Sequence, residues 1–168
     1  MITFVGAGPG DPDLITVKGQ KKLQEADTVI YAGSLVPKAL LGHCKEGCEI
    51  FNSAEMSLPE VLDVMIRDYK KGKKIVRLHT GDPAIYGAHR EQMDGLRAAG
   101  IEDFEIVPGV SSFLGAAAAL KVEYTLPEVS QTVILTRMEG RTPVPTSESI
   151  TSLANHQATM CIFLSEHM

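Results

Sequence analysis

Tryptophan is absent and aromatic residues make up only 5% of the 168 residues, so no row of rings stands ready to stack nucleobases. Positive charge is short as well: 16 Lys and Arg face 21 Asp and Glu, a net charge of −5, which argues against a broad nucleic-acid footprint. No apolar run approaches the length of a membrane span, and Met1 leads straight into a strand signal instead of the basic-then-apolar start of a signal peptide. A soluble, cytoplasmic chain without a membrane partner is expected. Cys44, Cys48 and Cys161 are the three cysteines, an odd number that suits partly buried thiols better than a disulfide framework. His43 beside Cys44 and Cys48 invites a zinc reading, but no second pair stands at finger spacing, and no metal is expected.

What is present is enough apolar sequence, 44% of the chain, to fill a core. Ile2-Thr3-Phe4-Val5 reads as a strand and runs into VGAGPGD, Val5 to Asp11. Gly6, Gly8 and Gly10 permit positive φ and close approach of another molecule, while Pro9 fixes one φ. The dinucleotide fingerprint is G-x-G-x-x-G, and here Asp11 stands where the third glycine belongs. An acid there also competes with a pyrophosphate for the helix N-terminus. A dinucleotide site and a tight turn that binds nothing stay open as readings of these residues alone.

The pattern of strand, glycine-bearing loop and helix then recurs. Leu14 to Ala26 reads as a helix capped by Asp13 with Leu14, Leu23 and Ala26 inward, and Thr28 to Tyr31 as a strand ending at Ala32-Gly33-Ser34-Leu35-Val36-Pro37. Glu49 to Asn52 is a short strand, and Ser57 caps a helix whose core face is Leu58, Val61, Leu62, Met65, Ile66 and Tyr69. Lys70, Lys71, Lys73 and Lys74 around Gly72 read as a solvated helix end. Lys74 to Leu78 delivers the loop His79-Thr80-Gly81-Asp82-Pro83, ahead of a helix from Ala88 to Ala99; Phe104 to Val107 delivers Pro108-Gly109-Val110-Ser111-Ser112 and the helix Phe113 to Leu120. Loops beyond the carboxyl ends of such strands are where ligands bind in open α/β sheets. The residues imply an α/β first domain over 1–121, a linker over 122–130, and over 131–168 the start of a second α/β domain: strand Thr132–Thr136, helix Ser147–Asn155 capped by Ser147, strand Thr159–Leu164. Two strands and one helix cannot cover both faces of a parallel sheet, so this second domain reads as incomplete.

VGAGPGDPDLIT, VIYAGSLVP, RLHTGDPAIYGAHREQM and VPGVSS, in this order, resemble the tetrapyrrole methyltransferases that use S-adenosylmethionine. YAGSLVP and HTGDPAIYG are similar to the carbon-11 branch of cobalamin synthesis. The resemblance implies two α/β domains, S-adenosylmethionine in the cleft between them, precorrin-4 or its cobalt form as substrate, a homodimer, and a second domain longer than the one here. Carried over by motif, the cofactor contacts are Pro9, Thr80, Gly81, Asp82, Ile85, Ser111, Ser112 and Met138; the loop with Gly8 and Gly10 would border the macrocycle pocket, and Ser34, Tyr86 and Arg90 are candidates for the cleft wall, Arg90 because a guanidinium can pair the carboxylates of the macrocycle. Asp82, backbone amides and serine hydroxyls suit the cofactor's ammonium, carboxylate and ribose, and Met138 offers apolar contact to adenine. The expected effect of Asp82→Asn is weaker cofactor binding in an intact fold. In the related uroporphyrinogen methyltransferase the segment matching YAGS reads YDRL, and the aspartate proposed there as proton acceptor falls on Ala32, so no catalytic base is named. Another carbon specificity, and a non-catalytic fragment that binds macrocycle or dimerises, are the competing readings.

Overall fold

The computed structural model describes residues 1–140 and 142–165 of the chain. Its contacts divide into two compact units, Met1–Gly115 and Ala116–Met168.

In the first unit, short β-branched and aromatic segments form β1 (Ile2–Gly6), β2 (Thr28–Tyr31), β3 (Glu49–Asn52), β4 (Ile75–His79) and β5 (Phe104–Val107). They make one parallel sheet in the order β3-β2-β4-β1-β5. Parallel sheets need both faces covered, and alternate side chains meet that need. Val5, Val29, Tyr31, Val76, Leu78 and Val107 pack with Leu23 of helix α1 (Val17–Glu25) on one face. On the other, Ile2, Phe4, Ile30 and Ile75 pack with Val61, Val64 and Met65 of α2 (Leu58–Lys70) and Met93 and Leu96 of α3 (His89–Ala98).

The strand order fixes where a ligand site belongs. From β1 the chain moves to β2 and β3 on one side, then returns through β4 to β5 on the other. Adjacent strands β1 and β4 therefore send their following helices to opposite faces, the topological switch point beside which open α/β sheets bind ligands.

Several helix ends differ from the sequence expectation. Pro12–Leu14 is a 3₁₀ turn closed by Asp11, whose carboxylate accepts the Asp13 N–H at 2.9 Å. Asp13 therefore caps nothing. Ile15 and Thr16 are extended, and Thr16 caps α1 by accepting the Gly19 N–H at 3.1 Å. Leu14, expected inward, is 39% exposed, whereas Leu23 and Ala26 are fully buried. Ser57 does start α2: the Glu60 carboxylate accepts its backbone N–H and its hydroxyl, each at 2.7 Å. The helix ends at Gly72 with φ +73, as expected. Its lysines are not simply solvated, since Lys73 pairs with Glu49 at 2.8 Å and Asp68 at 3.5 Å and Lys74 with Glu25 at 2.9 Å. A 3₁₀ segment, Lys38–His43, follows β2, which no periodicity announced.

The helix α4 (Ser112–Leu120) leads into the second unit, where β6 (Val133–Arg137) and β7 (Thr159–Phe163) pair in parallel and α5 (Ile150–Ala154) connects them. Ser149, not Ser147, caps α5, accepting the Ser152 N–H at 3.2 Å; Ser147 lies in the 3₁₀ turn before it. Among the described residues of this unit only Thr136 is buried.

Candidate functional site

Three loops leave the carboxyl ends of β1, β4 and β5 and are fastened to one another. The Ala7 N–H donates to the His79 carbonyl at 2.7 Å, and Gly8 and Gly81 exchange two backbone bonds of 3.2 and 2.8 Å. Asp82 ties the third loop in: one carboxylate oxygen accepts the Gly109 N–H at 2.9 Å, the other the Ala84 N–H at 2.7 Å. Glycine is required at the junction. A Cβ on Gly109 would stand 2.2 Å from the Gly81 carbonyl oxygen and 2.7 Å from Gly6 Cα, and one on Gly6 would meet Gly109 and Gly81 at 2.6 Å. Gly8 and Gly81 also sit at φ +83 and +59, where L side chains are strained. Pro9 closes the edge against α4, lying where a Cβ on Gly115 would come within 2.7 Å.

The loop from Asp82 to Ala88 is the most constrained piece of backbone at this edge. Tyr86 and Ala88, neither of them glycine, have φ of +53 and +50, each costing on the order of 1–3 kcal/mol. Ile85 is half-buried and Tyr86 is 44% exposed. Beneath the loop, on the α2–α3 face, lies a small polar cluster in an apolar bed. Arg77 is buried, and its guanidinium donates to Gln92 Oε1 at 3.1 Å and to the Ile30 and Leu78 carbonyls at 3.2 and 3.4 Å. Burial without a carboxylate partner pulls its pKa down to about 10. Next to it, burial and the nearby Arg77 charge push His79 down to about 3, so the ring is neutral. His79 Nε2 has no hydrogen-bond partner.

Of the residues carried over by motif, the structure brings Gly8, Pro9, Gly10, Thr80, Gly81, Asp82, Ile85, Ser111 and Ser112 to the carboxyl edge of the first unit. Ser111 is 5% exposed, Ser112 and Gly10 are open to solvent, and Thr80 is half-buried. Ser34 stands exposed beyond β2, where Gly33 is held by the Asn52 side chain, its N–H donating to Oδ1 at 3.0 Å. Arg90, on the exposed side of α3, is paired with Asp94 one turn on, at 3.0 Å. Met138 belongs to the second unit and lines, with Arg137, Glu139, Thr146 and Glu148, a cavity of about 440 Å³ beyond the carboxyl end of β6. Gly6, Gly109, Arg77, Gln92 and His89 stand inside the quoted motifs but are not among the site residues carried over from them. A glycine after each strand marks the first two; Arg77 inside an apolar strand is the only sequence sign of the buried cluster.

A family model described as Tetrapyrrole (Corrin/Porphyrin) Methylases matches residues 1–168. The cobalt-precorrin-4 C(11)-methyltransferase of Methanocaldococcus jannaschii is 61% identical over 167 residues, 99% of this chain and 64% of that enzyme. The chain thus spans a little under two thirds of the length of that relative. Among solved structures, a cobalt precorrin-4 methyltransferase of cobalamin biosynthesis superposes with a TM-score of 0.93 at 55% identity, covering 98% of this chain and 68% of that one. A uroporphyrin-III C-methyl transferase from Thermus thermophilus, complexed with S-adenyl homocysteine, gives 0.70 at 28% identity, over 87% of this chain and 59% of that one.

Proposed function

Because the chain belongs to the tetrapyrrole (corrin/porphyrin) methylases, we propose that it is part of an S-adenosylmethionine-dependent C-methyltransferase acting on carbon 11 of precorrin-4 or cobalt-precorrin-4. The observation that carries this reading is the 61% identity over 99% of the chain with an enzyme of that name. The substrate and a homodimeric assembly are those implied by the motifs.

The residues of the carboxyl edge fit the cofactor. Each Asp82 oxygen spends one lone pair on a backbone amide and keeps acceptor capacity for an ammonium or a ribose hydroxyl. Ser112 and Thr80 add hydroxyls at the same edge, and Ile85 adds apolar surface. When bound, S-adenosylmethionine supplies an electrophilic methyl group on its sulfonium. The role of the chain is alignment: holding two reactants in near-attack geometry supplies about 7–11 kcal/mol of a barrier. The glycine junction makes the edge rigid enough for that, because its three loops are mutually bonded. Incubating the chain with precorrin-4 and S-adenosylmethionine tests the reading. A product heavier by one methyl group, located at carbon 11, is expected; a methyl at another carbon would replace the specificity while keeping the class.

A further inference from the structure

The loop between Asp82 and α3 carries two residues in left-handed conformation, Tyr86 and Ala88, yet neither glycine nor a side-chain cap relieves the start of the helix. Something else must hold it. Asp82 fastens the near end through Ala84 and Gly109. At the far end the ring of His89 turns back under the loop, and its Nδ1 lies 2.7 Å from the carbonyl oxygen of Pro83. A carbonyl only accepts, so Nδ1 carries the proton. The same carbonyl nests against Gly87, where a Cβ would collide with it at 2.2 Å. The imidazole is itself fixed from behind: it lies 6.1 Å from the Phe4 ring and edge-on to the His79 ring at 6.3 Å. His79 in turn packs against Phe4, the rings tilted by 32° with centroids 5.9 Å apart, and interacts with the backbone of Gly87.

We infer that His89 is a positioning residue: by donating from Nδ1 to Pro83 it locks the 83–88 turn in the strained form that presents Ile85 and Tyr86 at the carboxyl edge. This rests on the reading that the edge binds the cofactor. The ring of His89 packs against Phe4 and His79 while Nδ1 holds the Pro83 carbonyl, so the two contributions are separable by substitution.

His89→Phe keeps the ring and removes the donor; His89→Asn drops the ring and keeps an N–H close to the position of Nδ1. Calorimetric titration with S-adenosylhomocysteine is expected to show affinity about tenfold weaker for His89→Phe, the loss of one hydrogen bond, with His89→Asn close to the wild type, both proteins being folded by circular dichroism. His89→Phe binding as tightly as the wild type overturns the inference, as does equal weakening in both variants. Nitrogen NMR of the wild-type chain judges the clamp independently of cofactor binding and of whether His89→Phe folds. A proton on His89 Nδ1 is expected, and an unprotonated Nδ1 contradicts the clamp. Failure of the wild type itself to bind S-adenosylhomocysteine would count against the cofactor reading, leaving the NMR result to decide the clamp.

Discussion

Asp82 and Asp68 are two aspartates whose carboxylates are both held by hydrogen bonds within the first unit, with different consequences. For Asp82 the engagement is with backbone amides from two loops, so Asp82→Asn does more than the motif reading expects. An amide has a single oxygen, and its NH₂ would face a backbone N–H. One of the two N–H donors, that of part-buried Gly109 or of exposed Ala84, loses its acceptor, a cost of about 1 kcal/mol. Chemical denaturation is therefore expected to show lower stability for Asp82→Asn even without ligand, and unchanged stability would mean that the carboxylate does not join the loops. Asp68 is wholly buried and takes hydrogen bonds from Thr28 Oγ1 at 2.7 Å and Arg67 Nε at 2.8 Å. With the Arg67 bond as the leading cause, its pKa is lowered to about 2 from 3.8. A depressed carboxylate pKa gives stability that is fully present above the unfolded value and is lost as pH falls through the folded one. Asp68 accordingly contributes on the order of 2 kcal/mol at neutral pH, lost between about pH 4 and pH 2. Urea unfolding across that range should show this slope in the wild type and a flatter one in Asp68→Asn.

At the scale of elements, the glycine junction joins the ends of β1, β4 and β5, and its tolerance is testable. Gly109→Ala puts a methyl group 2.2 Å from the Gly81 carbonyl oxygen, and the contact is backbone against backbone, so no side chain can yield. Overpacking of this kind costs about 3 kcal/mol; a variant as stable as the wild type would show that the loops can part without penalty. The sequence signalled these loops well, because a glycine after an apolar run has few other uses. It signalled α2 equally well, since Ser57 and Glu60 bracket a long apolar periodicity. Where it misled was at ends decided by competition among short polar residues. Asp11, Asp13 and Thr16 are all capable caps, and only the extended Ile15–Thr16 backbone decides that Asp11 serves the 3₁₀ turn and Thr16 the helix. The Arg77–Gln92 and His89–Pro83 contacts were illegible for another reason. They join residues 15 and 6 apart through side chains whose partners depend on how β4 and α3 pack.

At the scale of the whole molecule, the buried side chains are concentrated in the Met1–Gly115 unit, while the described part of the other buries only Thr136. Local stability follows buried contact, so amides of β6 and β7 are expected to exchange with solvent at lower protection than those of β1 and β4. Uniform protection along the chain would contradict that division. Both the glycine junction and the edge residues Thr80, Asp82, Ile85, Ser111 and Ser112 lie in the well-packed unit, which makes ligand binding the direct test of the central claim. The measurement is calorimetric titration of the chain with S-adenosylhomocysteine, with NAD as control. Saturable binding of S-adenosylhomocysteine and none of NAD is the predicted result. Binding of NAD alone would contradict the account and return the glycine loop to a dinucleotide site.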